Sequence, residues 1–243
     1  CALPISGYSN FAATNDDFVL LRFNADGSPD TGFGSAGKVI TAISAGNIAD
    51  QAHALTIQPD GKIVVVGNIL YGPDFKVVRY NTDGTLDTTF GSGGIASAAP
   101  DNNTAFAQAV ALQSDGKILV AGFAYHFDGT NFDGNVALVR LNANGTLDTS
   151  FDGDGRVVFP MANDQSGFSL AVDPSGRIVV AGETTLADGS TDIAVWRFTS
   201  AGAPDTGFSG DGLVTQDFGG TSDLGSAVIV RSEEHTSELQ SRL

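Results

Sequence analysis

The chain is poor in the residues that most often carry chemistry. Of its 243 residues one is cysteine (Cys1), one is methionine (Met161) and three are histidine (His53, His126 and His235). A single cysteine excludes an internal disulfide framework and a cysteine-ligated zinc. The histidines have no ligand-like spacing, and His53, inside HALTIQ, reads as a strand residue. Basic residues are scarce too, 12 against 28 acidic ones, for a net charge of −16. Phosphate binding needs clustered lysine and arginine, so nucleic acid is excluded as a partner. No apolar run approaches the roughly 20 residues that span a bilayer as a helix, and membrane insertion is not expected.

Glutamate is nearly missing. Only Glu183, Glu233, Glu234 and Glu238 are glutamates, and the other acids are aspartates. Aspartate favours turns because its short side chain bonds nearby backbone amides, so the acidity is mostly turn chemistry. Three of the four glutamates fall in RSEEHTSELQSRL, residues 231–243, which breaks the habits of everything before it. The opening CALPI can be encoded by DNA whose reverse complement encodes RSEEH. Both ends resemble translated sequencing-adapter DNA. Residues 1–6 and 231–243 are therefore read as non-native, and 7–230 as a fragment of a longer array.

What is present is a repeat. LLRFNADGSPDTGFGSAGKV from Leu20 returns as VVRYNTDGTLDTTFGSGGI from Val77, LVRLNANGTLDTSFDGDGRV from Leu138 and VWRFTSAGAPDTGFSGDGLV from Val195. Arg22, Arg79, Arg140 and Arg197 are separated by steps of 57, 61 and 57 residues, and Asp30, Asp87, Asp148 and Asp205 keep those steps. A fixed period of this kind marks a repeat architecture. Each period holds four short stretches rich in valine, isoleucine and aromatics, separated by turn signals, which read as strands. In the first period these are 18–23, 38–43, 53–58 and 62–68. Asp60-Gly61, Asp115-Gly116 and Ser175-Gly176 mark tight hairpins. Four strands in about 60 residues is the size of a β-propeller blade. The fold class is therefore all-β, a propeller of four-stranded antiparallel blades. A parallel β-helix is the weaker fit, because its coils lack an antiparallel hairpin.

The pattern R-[FYL]-N-x-D-G-x-x-D-x-x-F-G-x-x-G followed by A-x-x-x-Q-x-D-G-K-I-x-V-x-G resembles the bacterial delta-60 repeat family. That resemblance implies a propeller-like fold, a place in large and often exported bacterial proteins, and no established activity. Asn144, Asp152, Asp173-Pro174-Ser175 and Ser200-Ala201-Gly202 depart from the pattern. The strand order is similar to an NHL-type blade. In that phase complete blades lie near 48–98, 104–158 and 164–217, two strands precede them, and one ending at Val230 follows.

The repeated Arg and Asp flank a turn. A hairpin centred on Asp26-Gly27 would set Asp30 opposite Phe23 and beside Arg22. Arg22–Asp30, Arg79–Asp87, Arg140–Asp148 and Arg197–Asp205 are thus expected as structural ion pairs within each repeat. A ring of arginines binding an anion is the lesser reading. The loops 152–155 and 209–212 resemble calcium loops, but their counterparts 34–37 and 91–94 hold no carboxylate, whereas calcium needs six to eight oxygens. No metal or cofactor site is assigned, and calcium stays an alternative. The longest connection, 123–135, is read as a loop insertion. It carries Tyr125, His126 and Asp128, whose aromatic and acidic groups suit a glycan or a partner protein.

With uniform repeats and no Ser/His/Asp arrangement, the expectation is a non-catalytic binding or structural module, extracellular or on the cell surface. The alternatives are a glycan-active propeller hydrolase or lyase and a calcium-stabilised surface spacer.

Overall fold

A computed structural model describes residues 3–11, 15–45, 48–127, 132–159 and 164–231. The tail at 232–243 lies outside the described residues. Among the described residues fifteen strands form four antiparallel sheets. The first sheet is β1 (Leu3–Phe11), β2 (Asn15–Phe23) and β3 (Lys38–Thr41). The second is β4 (Asp50–Ile57), β5 (Ile63–Ile69), β6 (Phe75–Tyr80) and β7 (Ile95–Ala98). The third is β8 (Ala105–Leu112), β9 (Ile118–Phe127), β10 (Phe132–Leu141) and β11 (Arg156–Val158). The fourth is β12 (Gln165–Val172), β13 (Ile178–Thr185), β14 (Thr191–Phe198) and β15 (Leu213–Gln216). Strand neighbours follow chain order in every sheet, so each period is one up-and-down blade. The architecture is β-propeller-like, with the first strand β8 of the third sheet packed against both β4 and β12 on the inner side.

The core lies between sheets. Val64, Val66 and Val77 of the second sheet meet Ala107, Val120 and Val139 of the third. Leu119, Leu138 and Phe151 of the third meet Val180, Trp196 and Phe198 of the fourth. Phe18, Leu20 and Phe33 of the first meet Val65, Val78 and Tyr80 of the second. Both faces of an interior strand are therefore apolar, which is why FKVVRY is buried throughout.

Three details differ from the sequence reading. Leu3–Ser6, set aside as non-native, are paired in β1 against Leu20–Phe23, so three strands rather than two precede the second sheet. Their alternation of apolar and small residues suits an edge strand whatever encoded them. The segment ending at Val230 is not a strand; it is tied to the fourth sheet by a single backbone bond, Gly225 N–H to Gly182 O at 3.1 Å, and by Val228 N–H to Ser169 Oγ at 3.0 Å. The turn after Arg22 is one residue shifted. Asn24 N–H donates to Ser28 O at 2.8 Å, Phe23 faces Pro29, and Asp30 N–H donates to Arg22 O at 2.9 Å. Gly27 at φ 83° closes a three-residue loop rather than a two-residue one. The same geometry recurs with Tyr80 facing Leu86, Leu141 facing Leu147 and Phe198 facing Pro204.

Candidate functional site

Residues that recur in every repeat form one device. Arg22, Arg79, Arg140 and Arg197 donate from Nε to Asp30, Asp87, Asp148 and Asp205 at 2.9, 2.7, 2.6 and 2.7 Å. Each guanidinium lies 4.3–4.6 Å over the ring of Phe33, Phe90, Phe151 or Phe208. The second branch of the guanidinium leaves the repeat. Arg22 Nη1 donates to Thr82 O, Arg79 Nη1 to Ala143 O at 2.5 Å, and Arg140 Nη1 to Ser200 O at 2.6 Å. Beside it, the N–H groups of Gly34, Gly91 and Asp152 donate to Asp83, Asn144 and Ala201 carbonyls, each at 2.8 Å. Arg22, Arg79 and Arg140 thus each join their own aspartate to the next sheet's turn, with both branches of the guanidinium engaged.

The turn aspartates serve the turn. Asp26 Oδ1 accepts from Ser28 N and Oγ at 2.9 and 2.6 Å, and Asp83 accepts from Thr85 at 2.9 and 2.7 Å. Both carboxyls are held below the usual range by those hydrogen bonds. Asn144 makes the same contacts to Thr146, which explains why an amide can stand there. In the two calcium-like loops, Asp154 caps Arg156 N at 2.9 Å and Asp211 caps Leu213 N at 3.0 Å. A carboxylate cluster exists elsewhere: Asp192, Asp217 and Asp223 bring one oxygen each within 4.8 Å of one another. Burial, then Asp217 and Asp223, push the Asp192 carboxyl above its ordinary value. Sequence spacing gives no sign of this cluster, because its members come from β14 and the segment after β15.

The inner side of the sheets carries what does not repeat. A bulge interrupts the pairing of β4, β8 and β12 at His53, Gln108 and Phe168. It presses a carbonyl toward the facing strand, where only glycine fits: a Cβ on Gly122 would lie 1.9 Å from Phe106 O. The side chains around this bulge change from sheet to sheet. In the second sheet His53 Nε2 lies 2.9 Å from Asn68 Oδ1, and burial lowers the imidazole's pKa, favouring its neutral form. In the third, Phe106 stacks on Phe123 at 5.1 Å, and Tyr125 meets both edge-on at 5.9 and 5.5 Å. Phe168 of the fourth sheet joins them, 6.3 Å from Phe123.

Of the three predicted binding residues, Tyr125 falls in this cluster and is 37% exposed. It is not in a loop. Tyr125 pairs with Gly134 and His126 with Asp133, so β9 and β10 extend the hairpin through most of 123–135. The run of alternating aromatics continues the strand instead of ending it. Asp128 lies outside the described residues. Carboxylates do approach Tyr125, but from the neighbouring sheet: its phenol is pushed up by burial first, then by Asp164 and Glu183. Asp164 Oδ1 also accepts from Gly134 N at 2.7 Å, fixing the hairpin to the fourth sheet. Burial raises the Glu183 carboxyl. Phe106, Phe168, Asp164 and Glu183 were missed from sequence; the one available signal was that each breaks the pattern of its repeat.

A family model described as "Domain of unknown function (DUF5122) beta-propeller" matches residues 5–33, 58–90, 113–151 and 174–208, more than half of the chain. The chain belongs to this family. No curated protein matches it. In the second to fourth sheets the matched segments run from the Asp-Gly or Ser-Gly hairpin through the arginine strand to the phenylalanine under the guanidinium. The DUF5122 signature is thus the inter-sheet device, and it leaves out Phe106, Asp164 and Phe168.

Proposed function

We propose that the chain is a non-catalytic binding module whose ligand is a glycan, held on the aromatic patch formed by Phe106, Phe123, Tyr125 and Phe168. The observation that carries this reading is the patch itself. Four aromatic rings meet in edge and stacked contact where the second sheet carries Gln51, Asn68 and His53 at the equivalent places, and Tyr125 is 37% exposed. Aromatic faces bind the C–H surface of a sugar, and Asp164 and Glu183 supply hydroxyl acceptors beside it. Its setting is a large exported bacterial protein of the delta-60 type, with residues 1–6 and 231–243 derived from adapter sequence; the full reading frame of the gene tests that setting. Affinity electrophoresis against a panel of soluble polysaccharides tests the binding. Retardation by at least one polymer is expected, with a loss of about tenfold in affinity for Tyr125→Ala, the size of one aromatic contact. Unchanged mobility against the whole panel, or equal binding by the variant, contradicts it. Release of reducing ends that Glu183→Gln abolishes would favour the glycan-active enzyme instead.

A second reading, a calcium-stabilised spacer, is favoured by the Asp192, Asp217 and Asp223 cluster. Calcium would then raise the melting temperature, and Asp192→Asn would abolish the rise; a melt indifferent to calcium and chelator removes this reading.

A further inference from the structure

Five residues before each repeated arginine stands a polar side chain: Asp17, Asp74, Asn135 and Asp192. The second sheet answers its carboxylate from the same strand. Lys76, three residues before the arginine, donates from Nζ to Asp74 Oδ2 at 3.0 Å and to Ser97 Oγ at 2.8 Å. The third sheet carries no charge at this place, since Asn135 is an amide and Ala137 stands where Lys76 does. The fourth sheet departs in both directions. Ala194 takes the place of the lysine, and acids are added. Asp217, one residue past the Ile193–Gln216 pair, comes to Asp192; one residue past the Phe75–Ala98 pair, the second sheet has Ala99. Asp223 is the third acid of the group. Three carboxylates thus gather where the second sheet sets one acid against one ammonium. Among the described residues no ion pair reaches Asp192, Asp217 or Asp223.

Asp192 is also the member that water screens least. It is 7% exposed, and among the described residues its carboxylate accepts no hydrogen bond. A buried carboxylate without donors is costly unless a cation balances it. Its cross-strand partner Thr184 is 2% exposed, and Thr184 Oγ1 has no hydrogen-bond partner either. Ala124 holds that place in the third sheet. Paired residues of a ladder project to the same side, so this unused hydroxyl lies beside Asp192. The other two acids are held by their own loop: Asp217 Oδ1 accepts from Gly219 N at 2.5 Å and Asp223 Oδ2 from Phe218 N at 2.8 Å. The side that carries Asp192, Thr184 and Ala194 packs on Val136 and Leu138 of the third sheet, so its surroundings are set inside the chain. In the second sheet, with the third stacked after it, Asp74 is likewise answered from its own strand.

We propose that the fourth sheet binds one calcium ion between Asp192, Asp217 and Asp223, in the role that the Lys76 ammonium fills in the second sheet. This assignment rests on the calcium reading of the cluster and adds which internal cation the ion replaces. The donors are oxygens only, which suits calcium over zinc or copper. Thr184 Oγ1, and water reaching the exposed Asp217, add to the carboxylates toward the roughly six to eight oxygens that calcium takes. Asp217 and Asp223 belong to the segment that leads away from β15, so the ion ties that segment to the start of β14.

Calorimetric titration of the whole chain, Asp192→Asn and Ala194→Lys with calcium tests it, alongside melting curves of each in calcium and in chelator. The unaltered chain should bind one calcium ion. Asp192→Asn, which keeps the volume and removes the charge, should bind about tenfold more weakly or not at all. Ala194→Lys supplies the ammonium, with Asp192 and Thr215 in the places of Asp74 and Ser97, and should bind none. Ala194 is buried, so a lysine variant that fails to fold leaves Asp192→Asn to decide. No binding at millimolar calcium, undiminished binding by Asp192→Asn, or a folded Ala194→Lys that binds as tightly as the unaltered chain would each overturn the assignment. One ion bound without a rise in melting temperature would keep this site and remove the spacer reading. A folded Ala194→Lys that still binds calcium and is stabilised by it would do the opposite.

Discussion

Gly84 and Gly27 hold the same place in the repeated turn, at φ 89° and 83°, and differ in what stands beside them. A Cβ on Gly84 would meet Val39 at 2.7 Å and Phe33 at 3.0 Å, whereas one on Gly27 meets nothing within 4 Å. Gly27→Ala should therefore cost only the left-handed backbone penalty, about 1 kcal/mol. Gly84→Ala adds overpacking of about 1–3 kcal/mol to that. Urea unfolding of the two variants measures the difference, and equal losses would mean that the turn does not seat on the neighbouring sheet. The pairing of arginine and aspartate was legible in the sequence, because both residues recur eight apart in all four repeats. The second bond of each arginine was not, because its acceptors are the carbonyls of Thr82, Ala143 and Ser200, and a backbone oxygen leaves no trace in residue identity.

At the level of strands, the bulge in β4, β8 and β12 decides which residues face the inner side. It also sets the close approach that reserves Gly67, Gly122 and Gly182 for glycine, with carbonyls 1.8–1.9 Å from a built Cβ. Gly122→Ala should lower stability by about 3 kcal/mol or more, since backbone on both strands must shift. A loss below 1 kcal/mol in thermal unfolding, of order an exposed-site change, would show that the hairpin gives way easily. The four strands of each complete blade were readable from the alternation of β-formers with Asp-Gly turns, whereas the strands before the second sheet and the segment ending at Val230 were not. The extended hairpin at 123–135 was not, since extra length between two strands fits a loop insertion as well as two longer strands. The aromatic patch was half legible: Tyr125 stood out, but Phe168 comes from the next blade and its approach depends on how the sheets stack.

For the whole molecule, the acidic excess has a definite sign in its effect on stability. Hydrogen bonds from Thr89 and from the Lys62 ammonium hold the Asp87 carboxyl well below its ordinary 3.8. Burial pushes Asp148 and Asp173 upward, but hydrogen bonds from Ser150 and Arg177 and the charges of Arg140 and Arg177 outweigh it. These carboxylates stabilise the fold above the unfolded pKa, and that contribution is lost as the pH falls below about 4. Asp192 and Glu183 act oppositely, because their raised values make the ionised form a cost that protonation relieves. His53 opposes them, because burial lowers its imidazole and the unfolded chain takes up that proton first as the pH falls through the ordinary imidazole range near 6.5. The melting temperature should therefore change little from neutral to mildly acid pH, where these contributions oppose one another, and fall steeply below about pH 4. A melting temperature that holds level well below pH 4 would contradict that balance.

The central claim is that the repeated arginine serves the junction between sheets and not only its own repeat. Arg79 and Arg197 separate the two roles: both bond their aspartate at 2.7 Å, but only Arg79 reaches the next sheet. The most direct test is urea unfolding of Arg79→Ala and Arg197→Ala. Arg79→Ala should lose about 3 kcal/mol or more, as expected for breaking a buried pair. Arg197→Ala should lose about 1 kcal/mol, as for a partly solvated one. Equal losses in the two variants would contradict the claim.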